Sequence, residues 1–207
     1  IGVWISGFFG SGKSHFAKIL SYLLCNLSVG QQRAIDVFKS RLDPHSEVAA
    51  LIGQQLHRIQ QIDNHVVMFN IEAMKRTTSI AETMYSQYLA QERRLSANIL
   101  VGRLELSLIR RGLYEKFKQV LGEQVGEPWE TVRDDFTMVR SAVAGTLARL
   151  DKKLYPDAKS AEKALEDLGA QGAFSISDMA QELTVYVDEL QAAGNPEQPP
   201  HLVFIVD

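Results

Sequence analysis

The chain has 207 residues, 45% hydrophobic and 23% charged, which is the composition of an ordinary folded protein. That length suits one large domain with an insertion or two small ones. A formal net charge of −3 excludes a general attraction to nucleic acid or anionic membranes, so either would need a local basic patch. No apolar run approaches the roughly 18 residues that span a bilayer, and no signal-peptide layout is present. The single cysteine, Cys25, rules out an intrachain disulfide. Set in Leu23-Leu24-Cys25, it reads as a buried structural thiol in a reducing, intracellular setting.

In chain order, residues 1–6 predict a short apolar strand, followed by a glycine-rich turn. Phe16, Ile19, Leu20, Leu23, Leu24 and Leu27 then recur at three- and four-residue steps, which predicts a helix with one buried face, closed by Gly30. Asp43-Pro44 opens a new element. Ser46 is placed to cap a helix over 46–62 that turns Val48, Leu51, Ile52, Leu56 and Ile59 inward. His65-Val66-Val67-Met68-Phe69-Asn70-Ile71 reads as a second strand, apolar enough for cover on both faces, as in a parallel sheet.

From about residue 78 the pattern is helical, with helices expected near 79–95, 98–121, 128–151, 158–169 and 176–193. Gly194-Asn195-Pro196-Glu197-Gln198-Pro199-Pro200 is a breaker cluster that feeds a last strand over 201–207. Strands alternating with helices argue for an α/β fold with a parallel sheet. The expected division is a core over 1–77, a helical insertion over 78–200, and a returning core strand over 201–207. Both chain ends read as strands of a longer protein.

The chemistry lies in Gly7-Phe8-Phe9-Gly10-Ser11-Gly12-Lys13-Ser14, which fits G-x-x-x-x-G-K-[ST] at every fixed position. Glycines let the backbone curl around a phosphate without a Cβ clash, so that successive amides form an anion nest. The following helix adds the positive end of its dipole. In this P-loop reading Lys13 meets the β and γ phosphates and Ser14 takes a place on Mg²⁺. With glycine near 7% of residues, a chance match arises in roughly one chain of this size in a hundred. The apolar segment before the motif and the amphipathic segment after it supply the context that the motif requires.

Leu202-Val203-Phe204-Ile205-Val206-Asp207 has the Walker B pattern, an apolar strand whose terminal carboxylate holds the Mg²⁺ shell. Lys13 and Asp207 are therefore the candidate catalytic residues, Ser14 and Asp207 the candidate metal ligands, and ATP with Mg²⁺ the expected cofactor. Asn70, Glu72 and Lys75 would emerge at the carboxyl end of the second strand, where open α/β sheets bind ligands. Solvated loop residues are the plainer reading of all three.

Other signals are weaker. The five histidines (15, 45, 57, 65 and 201) share no metal-ligand spacing. His15 follows Ser14 and is a secondary candidate for phosphate contact. Arg93-Arg94 and Arg110-Arg111, with Lys116 and Lys118, form a basic zone whose default is a solvated helix face. The alternatives are DNA contact or an arginine finger reaching a neighbouring subunit of a homo-oligomer. Met68, Met74, Met84, Met138 and Met179 read as core filler.

The stretch Trp4-Ile5-Ser6-Gly7-Phe8-Phe9-Gly10-Ser11-Gly12-Lys13-Ser14-His15-Phe16-Ala17-Lys18-Ile19-Leu20 goes beyond a generic P-loop. It closely resembles the large P-loop ATPase of the BREX bacteriophage-exclusion systems and its relative in phage growth limitation. The distinctive parts are the doubled Phe and the Ser-His-Phe continuation. The terminal His201 to Asp207 also looks like that family's Walker B strand, and resemblance is strong over about 25 residues at the two ends. It implies an AAA+-like (ASCE-type) P-loop NTPase core with a long helical insertion, in a large cytoplasmic prokaryotic protein. That protein would work beside a DNA methyltransferase and other defence components against phage.

Residue by residue, the resemblance implies Gly12, Lys13 and Ser14 on phosphate and Mg²⁺, and Asp207 on the metal. It also implies a glutamate after Asp207 that polarises water, and a later strand between residues 1–6 and 201–207, hence a gap in the sheet here and inefficient hydrolysis by these 207 residues. A nucleotide-gated switch with little turnover is the alternative to an ATPase. A small-molecule kinase or a GTPase is disfavoured, since those folds place the metal carboxylate much sooner after the loop. The preference for ATP over GTP rests on the resemblance.

Overall fold

The computed structural model describes residues 2–8, 10–71, 79–170 and 175–207. In chain order its elements are α1 (Lys13–Leu24), β1 (Ser28–Val29), β2 (Gln32–Arg33), α2 (Ala34–Lys39), α3 (Glu47–Ile59), β3 (Asp63–Phe69), α4 (Ile80–Gln91), α5 (Ile99–Arg110), α6 (Tyr114–Val125), α7 (Trp129–Val132), α8 (Phe136–Leu150), α9 (Ala158–Ala170), α10 (Ile176–Ala193) and β4 (Pro200–Val206). The chain is α/β and forms two compact units, Ile1–Thr77 with Ser177–Asp207, and Thr78–Ile176.

In the first unit β3 and β4 form a parallel pair in register from Asp63↔Pro200 to Phe69↔Val206. Parallel neighbours need a crossover, so the chain between them must leave and return. Val67 and Phe69 are buried and their alternates on β3 only half-buried. The strand is thus covered mainly on one face, and the expected cover on both is absent. Beside the sheet, Leu23 of α1, Ile35 of α2 and Leu56 of α3 make a small core, with Ile19, Phe38, Ile52 and Ile59 packed around it. The Ser46 side chain accepts from Ala49 N at 3.3 Å and starts α3, as its sequence position predicts.

Several expectations for this unit change. Residues 2–8 carry no strand, and Trp4 is 91% exposed. An extended segment needs a paired neighbour to satisfy its backbone groups, and none of the described strands pairs with it. Helix α1 ends at Leu24, short of Gly30, and Asn26 at φ 42° turns the chain into the β1–β2 hairpin, which periodicity does not show. Cys25 and Leu27, past the end of α1, and Phe16, in its first turn, are exposed, against their expected burial. On α3, Val48 (66%) and Leu51 (56%) also face solvent, because the core meets only the 52–56–59 stripe. Residues 177–193 of α10, expected within the insertion, group with this unit.

The second unit is helical. Its core is built on Val101, Leu104, Leu108, Phe117, Leu121, Trp129, Val143, Ala144, Leu147, Ala161 and Leu165. Helix α4 starts with a full capping box: Glu82 N donates to Ser79 Oγ at 3.1 Å and Ser79 N donates to Glu82 Oε2 at 2.8 Å. The helix expected over 98–121 is two helices. Gly112 at φ 66° donates to Ile109 O and Leu113 N donates to Leu108 O, a Schellman stop. The helix expected over 128–151 is likewise broken, into α7, a 3-10 turn over Arg133–Asp135, and α8. Met138 is 86% exposed and fills no core, while Met74 lies outside the described residues.

Candidate functional site

The loop before α1 closes on itself through Ser11 N, which donates to Phe8 O at 3.1 Å. Gly10 (φ 77°) and Gly12 (φ 84°) take the left-handed conformation. A Cβ built on either meets nothing within 4 Å, so the demand for glycine there is one of backbone angle, not of space. Gly12 is the N-cap of α1, and as glycine it has no side chain to satisfy the free amides of the first turn. No acidic residue stands in that turn. The positive end of a 12-residue helix is therefore left for an anion from outside the helix.

Lys13 is held rather than free. Its Nζ donates to Gly7 O and Phe8 O, both at 2.9 Å, and lies 3.5 Å from Ser11 Oγ. An ammonium has three donors. Two are well placed on loop carbonyls, and the third has only the long contact. The cation is thus pinned across the loop with one donor for an incoming acceptor, and much of the entropy of ordering a lysine is spent before any ligand arrives.

Ser14 Oγ donates to Asp207 Oδ1 at 2.7 Å, across 193 positions of sequence. The Asp207 backbone is set by β3: its N–H donates to Phe69 O at 3.0 Å, and its carbonyl accepts from Ile71 N at 2.9 Å. A hydroxyl on the first turn of α1 and a carboxylate at the end of β4 thereby converge. Both donors are hard oxygens and neither is buried, which suits a divalent cation that completes its shell with water and phosphate oxygens. Among the described residues no group of three or more His, Cys, Asp or Glu could hold a metal by itself.

Beside this point runs a groove of about 450 Å³. It is lined by Val3, Trp4 and Ile5, by Lys13, Ala17 and Leu20 of α1, and by Val203 to Val206 of β4 with Asp207. The expected gap in a sheet between residues 1–6 and 201–207 has no counterpart among the described residues, because residues 2–8 form no strand.

The remaining sequence candidates divide. Gly7, Phe8, Gly10, Ser11, Gly12, Lys13, Ser14 and Asp207 are brought together. Phe9, Glu72 and Lys75 lie outside the described residues. His15 is exposed on α1, and the described hydrogen bonds of the Lys13–Ser14–Asp207 set do not include it. His45, His57, His65 and His201 stand apart, and His65 meets Asp63 at 3.3 Å and the edge of Tyr186. In the basic zone, Arg111 pairs with Asp151, and Lys118 pairs with Glu115 (3.0 Å) and Glu130 (3.3 Å). Partial burial opposes the Lys118 charge, but those two carboxylates hold its pKa above the ordinary lysine value.

Sequence reasoning missed Glu105, which is fully buried in the second unit. It accepts from Trp129 Nε1 (2.7 Å), Tyr114 OH (2.8 Å), Arg133 Nη1 (3.1 Å) and Ser96 N (2.7 Å). The signal was a lone acid in Leu104-Glu105-Leu106, between two core leucines.

No protein-family model matches the chain, and no solved structure matches it. No described helix is long and apolar enough to cross a membrane.

Proposed function

We propose that residues 7–14 with Asp207 are the phosphate and magnesium end of a P-loop ATPase of AAA+-like type. The observation that carries this reading is the 2.7 Å bond from Ser14 to Asp207, beside a Lys13 already drawn across a glycine loop. A turn that merely joined two elements would need neither the distant carboxylate nor the anchored ammonium.

In this reading the loop amides and the α1 N-terminus receive the phosphate oxygens, and the spare Lys13 donor reaches the β and γ phosphates. Ser14 and Asp207 hold the Mg²⁺. When bound, that ion neutralises phosphate charge and draws electron density toward the leaving oxygens. Because the described residues offer two oxygens at this point, the cation takes the rest of its shell from nucleotide and water. By the resemblance of the chain ends, the nucleotide is ATP, and hydrolysis powers a cytoplasmic prokaryotic anti-phage complex acting on DNA beside a methyltransferase. The alternative within the same site is a nucleotide-gated assembly switch with negligible turnover.

Calorimetric titration of the chain with ATP, in Mg²⁺ and in EDTA, tests the site. Lys13→Ala should lower affinity about 10- to 100-fold in both buffers, the equivalent of one charged hydrogen bond. Asp207→Ala should remove the gain that Mg²⁺ brings and leave EDTA binding in place. Equal binding by the parent chain and Lys13→Ala would end the phosphate reading. ATP turnover, with phage protection measured in parallel, separates ATPase from switch. Protection lost in Lys13→Ala without measurable turnover in the parent favours the switch.

A further inference from the structure

Asp207 is bonded through its backbone to both neighbours of Asn70, giving its N–H to Phe69 O and taking the N–H of Ile71 on its carbonyl. In a parallel ladder, a residue bonded to positions i−1 and i+1 of the next strand is the register partner of position i. Asn70 and Asp207 are therefore side by side, one step beyond the last pair, Phe69↔Val206. Register partners project their side chains on the same face of a sheet, with strands about 4.8 Å apart. On that face the Asp207 carboxylate already accepts from Ser14. Asn70 is exposed, so solvent and ligand can reach it.

The chemistry suits the place. A carboxamide offers two donors and one acceptor without charge. Beside a carboxylate it can fix the rotamer of the acid or hold a water without competing for the cation or repelling a phosphate. We infer that Asn70 is a positioning residue for Asp207, orienting that carboxylate and the water shell of a nucleotide-bound divalent cation. This rests on the phosphate and magnesium reading above.

The test is calorimetric titration of the whole chain with ATP, in Mg²⁺ and in EDTA, with thermal melting of each variant. Asn70→Ala should weaken Mg²⁺-ATP binding about 10-fold, at the low end of losses seen when a partner of a metal ligand is removed, and leave EDTA binding unchanged. Asn70→Asp adds a carboxylate beside Asp207, so its ratio of Mg²⁺ to EDTA affinity should rise above that of the parent. A merely structural Asn70 would move both affinities together, or only the melting temperature, and either result overturns the inference. Should Asn70→Ala fail to fold, Asn70→Asp carries the test, and an unchanged ratio overturns it. If the parent chain and Lys13→Ala bind ATP alike, the phosphate reading has failed first and the inference goes with it; if only Asn70→Ala matches the parent, the inference alone is lost.

Discussion

At the residue scale, the site is a matter of where single charges and single backbone angles are held. Lys13 is bound by two carbonyls of its own loop, so it is ordered before ligand arrives. Gly12 supplies the left-handed dihedral angle that starts α1 at Lys13. A Cβ there has room but forces a left-handed non-glycine residue, at a cost of about 1–3 kcal/mol. Gly12→Ala should therefore lower the melting temperature modestly, and should weaken ATP binding in EDTA as well as in Mg²⁺ because the amides turn with the backbone. A mutant that melts early yet binds ATP like the parent would show that the amides play no part.

At the element scale, packing decides which expected elements survive. Gly102 lets α5 approach the turn after α4: a Cβ at that position would meet Leu89 Cδ1 at 2.7 Å and Ser96 O at 2.8 Å. The backbone carbonyl cannot swing aside as a side chain can. Gly102→Ala should thus destabilise the chain by about 1–3 kcal/mol in denaturant titration, despite alanine's better helix propensity. A stabilised variant would mean that α4 and α5 are not held this closely. Residues 2–6 illustrate the opposite outcome. Their apolar character suits a strand, but they line the groove along β4 without pairing with it or with any other described strand.

At the scale of the molecule, the helical unit is organised around an acid. Four donors from Ser96, Tyr114, Trp129 and Arg133 converge on Glu105, which ties together the loop before α5, the start of α6, α7 and the turn before α8. Glu105→Ala leaves Arg133 without its buried carboxylate and strands three further donors. A loss of about 3–5 kcal/mol is expected in denaturant titration, with Glu105→Gln costing less because it keeps an acceptor. Equal costs for the two would show that the acceptor at that position does nothing.

The same cluster gives the unit an alkaline limit. Burial first, then the charge of Glu105 and its hydrogen bond, raise the Tyr114 phenol well above its ordinary value. The unfolded chain releases that proton near pH 10. Above that pH the folded state binds more protons than the unfolded one, so stability present below about pH 10 falls as pH rises toward the folded value. Denaturant midpoints measured from pH 8 to 11 should show this decline, and Tyr114→Phe should flatten it. An unchanged slope would remove the phenol as its cause.

The local pattern of the loop and of the last strand was legible in residues alone. Glycine spacing, Lys13-Ser14 and an apolar strand ending in Asp207 each declare themselves within a few positions, because backbone angle and strand character are short-range properties. Helix stops were partly legible: Arg111-Gly112 marks the Schellman turn in plain sequence, yet apolar periodicity runs straight across it. Nothing local, however, brings Ser14 to Asp207 across 193 positions, sets Asn70 beside Asp207, or drives four donors onto Glu105. Those facts depend on which strand pairs with which and on which helix face finds a neighbour, and pairings of that range exist only once the chain has closed on itself.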